Sequence, residues 1–444
     1  MTSTQNPART AAPLSTELNV KLSFMMFLQY AIWGAWLPIL WPFLADHRGF
    51  TPDQIGTMFA VGALGAILAP FIAGQIADRF FPTQRFLGIS HCLGAVLIWQ
   101  LADVGSYEGF LVFSLVYSIV YSPTLPLTNS LAFHHLPDRD RDFGRVRLWG
   151  TIGWIAAGVA VGHWLLQRHT PSGPEANEAA VSAAQAAGRA DAFRLSAILG
   201  AVMGVFCFFL PNTPPSKTGE RNATFEAVGE IKRQPLLTLF LLSIPISCIH
   251  QFYFVHTSGF LGAFQNKAAS AINSVLGVGG GGLMTIGQMS EILVLALIPA
   301  VAKKVSRKSL LLVGSLAYAL RMALFAYVDS VPLPVLTTLI LGVSLHGLCF
   351  GCFVFVAFMI VDEETTADVR ASAQSLYNLV LIGVGIIVGS KVAGLVANAA
   401  MAGAPKLDYT NPAHTTALFS FPMWAAVACF VVLLVAYPSK RRSG

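Results

Sequence analysis

Runs of about 20 apolar residues follow one another along almost the whole chain, and each is long enough to cross a bilayer as a helix. Only 11% of the 444 residues are charged and 55% are hydrophobic, so polar side chains are too few to cover these runs in water. Within lipid, backbone polar groups must pair inside the segment, which favours helices. The sequence therefore predicts an all-α integral membrane protein.

The predicted spans form two sets of six. The first set is placed at 22–44, 54–76, 86–104, 108–134, 147–167 and 193–211. The second set is placed at 236–264, 275–300, 309–328, 333–361, 370–398 and 415–437. We thus expect an N-terminal tail (1–21), a six-helix bundle (22–211), a polar central loop (212–235), a second six-helix bundle (236–437) and a basic tail (438–444). Residues 168–192 are expected to form a mobile excursion. Two such halves are typical of secondary transporters built from repeats.

Lysine and arginine are unevenly distributed between the two predicted membrane faces. If the N-terminus is cytoplasmic, 20 of the 28 lie on the inner face and 7 on the outer face, while Arg321 lies within a span. Such an excess is typical of cytoplasmic loops. We therefore expect both termini and the central loop to be cytoplasmic, and we read the net charge of +6 as membrane topology rather than as a nucleic-acid signal.

Glu291 is the clearest polar group inside a span. It lies in TIGQMSEILVLALIP of span eight, one helical turn after Gln288. Because the bilayer penalises a charged side chain, a lone acid there is the natural proton carrier of a symporter. The alternative is a structural ion pair with Arg321 of span nine. Gln288 extends the polar face beyond one ion pair, which favours the proton-carrier interpretation.

The stretch FGRVRLWGTIGW (Phe143 to Trp154) follows a short polar loop that is rich in arginine. Arg147 stands just inside span five, with Thr151 four residues later on the same face. One interpretation is that Arg147 snorkels to the lipid headgroups. The other is that Arg147 and Thr151 line a polar cavity.

Spans one, seven and ten carry further polar and aromatic side chains. Gln251 in span seven either forms a hydrogen bond between helices or contacts a ligand. His346 and Phe350 in HGLCFGCF are either packing residues or a stacking surface. Gln29 and Trp33 share a face of span one. The span-seven histidines, His250 and His256, are expected at a solvated helix end.

The loop after span two, GQIADRFFPTQR, combines an acid with bases. Asp78, Arg79 and Arg85 could pair charges across a helix end and lock one conformation, or they could be ordinary inner-face charges. Walker A, HExxH and GxSxG motifs do not occur, so ATP-driven transport and common hydrolase chemistry have no support. We expect neither an enzyme nor a bound cofactor or metal.

Several blocks of this sequence resemble the bacterial nucleoside/proton symporters of the major facilitator superfamily. They are FLQYAIWGAWL in span one, RVRLWGTIGW, QMSEILVLALIP, ALRMALFAYVD and RASAQSL. The similarity runs in order from about Leu22 to Tyr437. It implies the twelve-helix major facilitator fold in the bacterial inner membrane. It also implies proton-coupled import of a nucleoside by alternating access, without an obligatory protein partner and as a monomer.

The resemblance also implies a site drawn from both halves. Its residues are Arg147, Thr151, Trp154, Gln251, Gln288, Glu291, His346 and Phe350, with Glu291 coupling protons. Two positions depart from the family pattern, since Phe254 replaces an asparagine and Gly351 replaces an acid. These departures concern base recognition more than transport. Without the resemblance, the residues also allow another polar metabolite such as a sugar, or a nontransporting membrane sensor.

Overall fold

The computed structural model describes residues 13–72, 81–173, 176–214, 224–265, 270–366 and 370–438, and within these ranges the secondary structure is entirely helical. The first six long helices are α1 (Thr16–His47), α2 (Pro52–Ile72), α3 (Thr83–Asp103), α4 (Tyr107–His135), α5 (Arg139–Arg168) and α6 (Ala190–Cys207). The other six are α7 (Leu236–Gln265), α8 (Gly281–Val301), α9 (Arg307–Ala326), α10 (Val335–Glu364), α11 (Arg370–Asn378, Leu379–Val384 and Gly385–Ala400) and α12 (Pro412–Ala436).

Eleven helices within the described residues are long and apolar enough to cross a membrane, and α2 contributes a shorter apolar stretch, Pro52–Leu68. Large apolar side chains point outward: Leu241, Leu293 and Trp424 are 61%, 62% and 64% exposed. Such exposure would be costly in water but is natural in lipid. The predicted all-α membrane architecture of twelve helices in two halves is confirmed.

Helix α5 begins earlier than the sequence predicted. The Asp138 side chain accepts a hydrogen bond from the backbone N–H of Arg141, at 3.0 Å, and so caps a helix that starts at Arg139. The arginine-rich segment is therefore helical rather than a loop. Arg147 lies eight residues inside α5, roughly 12 Å along the axis from its start. The expected excursion likewise contains a helix, Glu178–Gly188, which the Asn177 side chain caps.

Each half is built from neighbouring helices, and several helix pairs join the halves. In the first half α1 packs on α5 and α6, and α3 packs on α6. In the second half α9 packs on α12, and α7 packs on α11. Between the halves α2 packs on α11, and α5 packs on α8. Small residues permit this approach: a Cβ atom on Gly56 would lie 2.6 Å from the backbone oxygen of Ser390.

Polar contacts hold the halves together at the end of the bundle that carries residues 176–189, which we call the excursion face. There Lys391 Nζ on α11 lies 3.0 Å from Asp53 Oδ1 and 2.6 Å from Thr57 Oγ1 on α2. The ring centroids of Trp41 on α1 and His256 on α7 lie 4.3 Å apart. We call these five residues the excursion gate. Their contacts hold the excursion face closed.

His256 illustrates how deep this gate is. Its side chain is fully buried; the Tyr409 hydroxyl donates to Nδ1 at 3.0 Å, and Nε2–H donates to the Ala393 carbonyl at 3.2 Å. The prediction of a solvated histidine at this helix end was therefore wrong. Helix α7 extends nine residues past His256, to Gln265, which keeps the ring inside the bundle.

We expect Lys391→Met to weaken closure of the excursion face, because it removes the ion pair and the hydrogen bond between α11 and α2. A partly exposed ion pair contributes roughly 0.2–1 kcal/mol, so the open population should rise by up to about fivefold. Double electron–electron resonance between spin labels at Arg168 and Lys406, without the native cysteines, measures this. Lys21→Met is the control, since it breaks an ion pair within α1 alone. An unchanged distance distribution in Lys391→Met would contradict the gate.

Candidate functional site

Arg147 turns from α5 towards α1. Its guanidinium lies over the Tyr30 ring, 4.0 Å from the ring centroid, in a cation–π contact. The side chain is half-buried, and its charge acts on the carboxylate of Glu291 on α8, in the other half. Thr151 is half-buried one helical turn further along α5. Arg147 therefore sits where the two halves face each other.

Three aromatic rings continue this interface beyond Arg147. The Trp154 ring packs edge-to-face against Trp33 of α1, with centroids 5.6 Å apart. It also packs edge-to-face against Phe254 of α7 at 6.4 Å, which is a contact between the halves. Edge-to-face pairs at these distances are favourable and leave ring faces available for stacking.

Gln251 and Gln288 are both buried but differ in their partners. The Gln251 amide nitrogen donates to Ser390 Oγ at 3.0 Å and so joins α7 to α11. Gln288 on α8 has an amide oxygen that no described residue contacts by a hydrogen bond. A buried acceptor without a partner is unusual in a folded protein and points to a missing donor.

Glu291 meets a histidine rather than an arginine. Its Oε2 lies 3.5 Å from His346 Nε2 on α10, and its side chain is 17% exposed. Arg321 on α9 donates from Nη1 to His346 Nδ1 at 3.1 Å. The direct ion pair between Glu291 and Arg321, one of the two sequence alternatives, is therefore replaced by a connection through the His346 ring.

The His346 ring lies in an aromatic cluster of α7, α9 and α10. It stacks on Tyr253, with centroids 4.6 Å apart, and on His250 at 5.4 Å. His250 Nδ1 is hydrogen-bonded to the Tyr318 hydroxyl at 2.7 Å, and the Phe350 ring lies 6.3 Å from the His250 ring. Sequence reasoning missed Tyr318, although it stands three residues before Arg321 and thus on the same helical face.

Gln29 does not join the residues that face the interface. His91 Nε2–H donates to Gln29 Oε1 at 2.9 Å, and Gln29 Nε2 donates to Thr124 Oγ1 at 2.8 Å. Its side chain therefore binds α3 and α4, whereas Trp33 contacts α5. The i, i+4 spacing did not place these two side chains in a common cavity.

Position 351 faces α8 rather than Phe254. A Cβ atom on Gly351 would lie 2.5 Å from Val294 Cγ1, closer than any normal contact. The backbone of α10 forms a π-helical segment at Cys349–Phe355, which changes the direction of the side chains within it. An acid at position 351 would therefore point at α8.

Arg85 of the predicted locking loop is exposed on the first turn of α3, whereas Asp78 and Arg79 lie outside the described residues. A cavity of about 790 Å³ opens at the excursion face, lined by Asp46, Arg189 and Tyr409 among others. None of the predicted site residues lines this cavity. Within the described ranges, no cluster of His, Cys, Asp and Glu is arranged to hold a metal ion.

Known proteins resemble this chain in both sequence and architecture. The sequence model of the nucleoside H+ symporter family matches residues 16–441. YegT of Escherichia coli is 32% identical over 424 residues, which are 93% of this chain and 91% of YegT. The nucleoside permease NupG of Escherichia coli is 27% identical over 85% of this chain and 88% of NupG.

The crystal structure of the nucleoside transporter NupG superposes with a TM-score of 0.77 at 24% identity, covering 95% of this chain and all of that one. This likeness shows the fold, and the twelve helices of this chain accordingly adopt the major facilitator architecture. The match to the family model spans nearly the whole chain, including α1 to α12. The chain therefore belongs to the nucleoside H+ symporter family.

Proposed function

We propose that this protein imports nucleosides together with protons and that it holds the nucleoside between its two halves. As a member of the nucleoside H+ symporter family, it is a multi-pass membrane transporter and not an enzyme. The observation that carries the site proposal is that Arg147 of the first half and Glu291 of the second half lie within electrostatic reach of each other across the interface. A solute that binds both must sense the relative position of the halves.

The proposed site offers what a nucleoside requires. Trp154 and Phe350 provide aromatic faces for the base. The unpartnered Gln288 amide oxygen can accept a hydrogen bond from a ribose hydroxyl. Arg147 supplies further donors once it leaves the Tyr30 ring. The proposed binding residues are Arg147, Thr151, Trp154, Gln251, Gln288, Glu291, His346 and Phe350.

Glu291 is the proposed proton carrier. Protonation neutralises the carboxylate and lowers the cost of enclosing the site away from water. Release of the proton on the other side of the membrane then resets the empty carrier. Nucleoside transport is coupled to the proton if the halves change conformation in only two states. These are the state in which nucleoside and proton are both bound and the site is neutral, and the empty state.

We place the excursion face outside the cell and both termini in the cytoplasm, which the lysine and arginine bias supports. With the excursion gate closed, the described conformation then denies access from outside. The bundles 22–211 and 236–437 would move as units, linked by the central loop 212–235. Asp78, Arg79 and Arg85 are proposed to stabilise one conformation at the cytoplasmic side. The transporter would act as a monomer.

Phe254 is proposed to alter base recognition. Its ring contacts Trp154, lies 5.3 Å from His250 and lies 6.0 Å from His346, so it forms an apolar wall between the halves. The family pattern carries an amide here, which can read a base edge by hydrogen bonds. An apolar wall instead disfavours a base that places a polar atom against it, because burying that atom without a hydrogen-bond partner is costly.

We expect Arg147→Ala to weaken nucleoside binding roughly tenfold to a hundredfold or to abolish it, because hydrogen bonds from a charged donor contribute roughly 1.5–3 kcal/mol. Titration calorimetry on purified protein measures this. Arg145→Ala is the matched control, since Arg145 is exposed on the same helix. If Arg147→Ala binds like the wild type, the arginine serves the lipid interface instead.

We expect Glu291→Gln to lose uphill accumulation driven by a pH gradient while it retains exchange of labelled for unlabelled nucleoside, because the amide cannot bind and release a proton. Vesicle uptake with and without the gradient measures both. Glu108→Gln serves as the control, since Glu108 is exposed at the start of α4. Normal accumulation by Glu291→Gln would exclude this residue as the proton carrier.

We expect Phe254→Asn to change the order in which nucleosides compete for uptake, because it exchanges the apolar wall for an amide donor and acceptor. Competition with a panel of unlabelled purine and pyrimidine nucleosides measures the order. Phe355→Asn is the control, since Phe355 is 37% exposed on α10. The same order in wild type and Phe254→Asn would remove position 254 from base recognition.

A further inference from the structure

Arg321 is a fully buried cation in a membrane-spanning helix. Within the described residues, no carboxylate lies within ion-pair distance of its guanidinium. Its flat faces are covered instead by aromatic rings, with Tyr253 at 4.4 Å and Tyr318 at 5.1 Å from the guanidinium carbon. Its one described hydrogen bond runs from Nη1 to His346 Nδ1, at 3.1 Å. The burial of this charge therefore depends on the His346 ring.

The hydrogen bond from Arg321 fixes the hydrogen on the His346 ring. A guanidinium has only donors and keeps its proton in proteins, so Nδ1 of His346 must be the acceptor and carries no hydrogen. A neutral imidazole then carries its one N–H at Nε2. Nε2 is the atom that lies 3.5 Å from Glu291 Oε2. The ring thus holds its N–H on the side of the carboxylate, at a separation longer than an ordinary hydrogen bond, which can shorten when the carboxylate becomes charged.

We propose that Arg321 and His346 together form a fixed hydrogen-bond donor that stabilises the charged carboxylate of Glu291 after its proton has left. Arg321 is a positioning residue that acts through His346. A second proton on the ring would have to enter at Nδ1, where it would oppose the N–H of Arg321. The proton that leaves Glu291 therefore passes to water and not to His346. This inference rests on the proposed role of Glu291 as the proton carrier.

We call Arg321, His346 and Glu291 together the relay, because Arg321 acts on Glu291 through His346. The charged and titratable groups around the relay come from four helices. Arg147 of α5 acts on Glu291 from the other half. From α7, His250 and Tyr253 stack on the His346 ring, and from α9 Tyr318 lies beside Arg321. Cys349 of α10 lies within electrostatic reach of Tyr253.

The relay and Arg147 differ in how they respond to movement of the halves. Glu291, His346 and Arg321 stand on α8, α10 and α9, all in the second half, so their geometry does not depend on how the halves are placed. Arg147 belongs to the first half and moves relative to them. The fixed donor can therefore stabilise the empty, charged carboxylate in every conformation, whereas Arg147 does so only in some.

The test compares His346→Gln with His346→Phe in vesicle uptake across a range of pH. Glutamine keeps an acceptor for Arg321 and a donor for Glu291 but cannot titrate. We expect its proton-driven accumulation, whatever its rate, to keep the wild-type pH dependence. Phenylalanine keeps the ring and removes the donor. We expect Glu291 then to hold its proton to higher pH, which moves the midpoint of the pH profile, measured relative to each variant's own maximum, upward by roughly one unit or more.

Two results would overturn the relay. If His346→Gln loses proton-driven accumulation while nucleoside exchange persists, the ring itself carries the proton. If His346→Phe keeps the wild-type pH profile, the ring does not act on Glu291. Arg321→Met should shift the profile in the same direction as His346→Phe. The Glu291→Gln experiment separates failure of the proton carrier from failure of the relay, because it does not involve His346.

A spectroscopic measurement on the unaltered ring covers the case in which His346→Phe or Arg321→Met does not fold. Nitrogen-15 NMR of histidine-labelled protein, with the His346 signals assigned by their absence in His346→Gln, reports the tautomer directly. We expect a neutral ring with hydrogen on Nε2 from about pH 5 to about pH 8, whereas an ordinary histidine titrates there. A signal that titrates in this range would refute the fixed donor.

Discussion

A guanidinium that cannot give up its proton is buried among α7, α9 and α10, and the second half is organised around it. Burial of an unpaired charge is costly, and Nε and Nη2 of Arg321 have no hydrogen-bond partner among the described residues, so Arg321 depends on a few electron-rich contacts. Two tyrosine rings and one histidine nitrogen supply them. Each of these groups must keep its position, because displacement of any one exposes the charge to an apolar surrounding. The site beside Glu291 therefore stands on a rigid support.

Buried amide side chains differ in whether the described residues satisfy them. In the first half, Gln29 satisfies both ends of its amide with His91 and Thr124, which gives a closed network suited to a frame. In the second half, the Gln288 oxygen and the Tyr253 hydroxyl lack described partners. An incomplete hydrogen-bond network destabilises a purely structural part of a protein. In a binding site it is useful, because a bound solute can supply the missing partner. The open Gln288 oxygen therefore supports the proposed role of Gln288 in binding.

The fold could be predicted from the sequence because lipid imposes one simple rule, a helix for every long apolar run. The acid of α8 could be singled out for the same reason. The role of His346 could not, because it depends on how α8, α9 and α10 are rotated against one another. The start of α5 was misplaced because capping by Asp138 outweighed the run of arginines. The partners of Gln29 could not be predicted because helical spacing gives a face but does not say which neighbour covers it.

The tight contact between positions 351 and 294 bears on how specificity can change over evolutionary time. Glycine lets α10 lie directly against the Val294 side chain, and a larger residue at 351 would overpack that contact. A lineage that carries an acid at this position must therefore carry a compensating change at 294 or a different course of α10. If α10 keeps its course, a side chain at position 351 requires the side chain at 294 to move or shrink, or it costs stability. The residue present at position 294 thus limits which substitutions are tolerated at position 351.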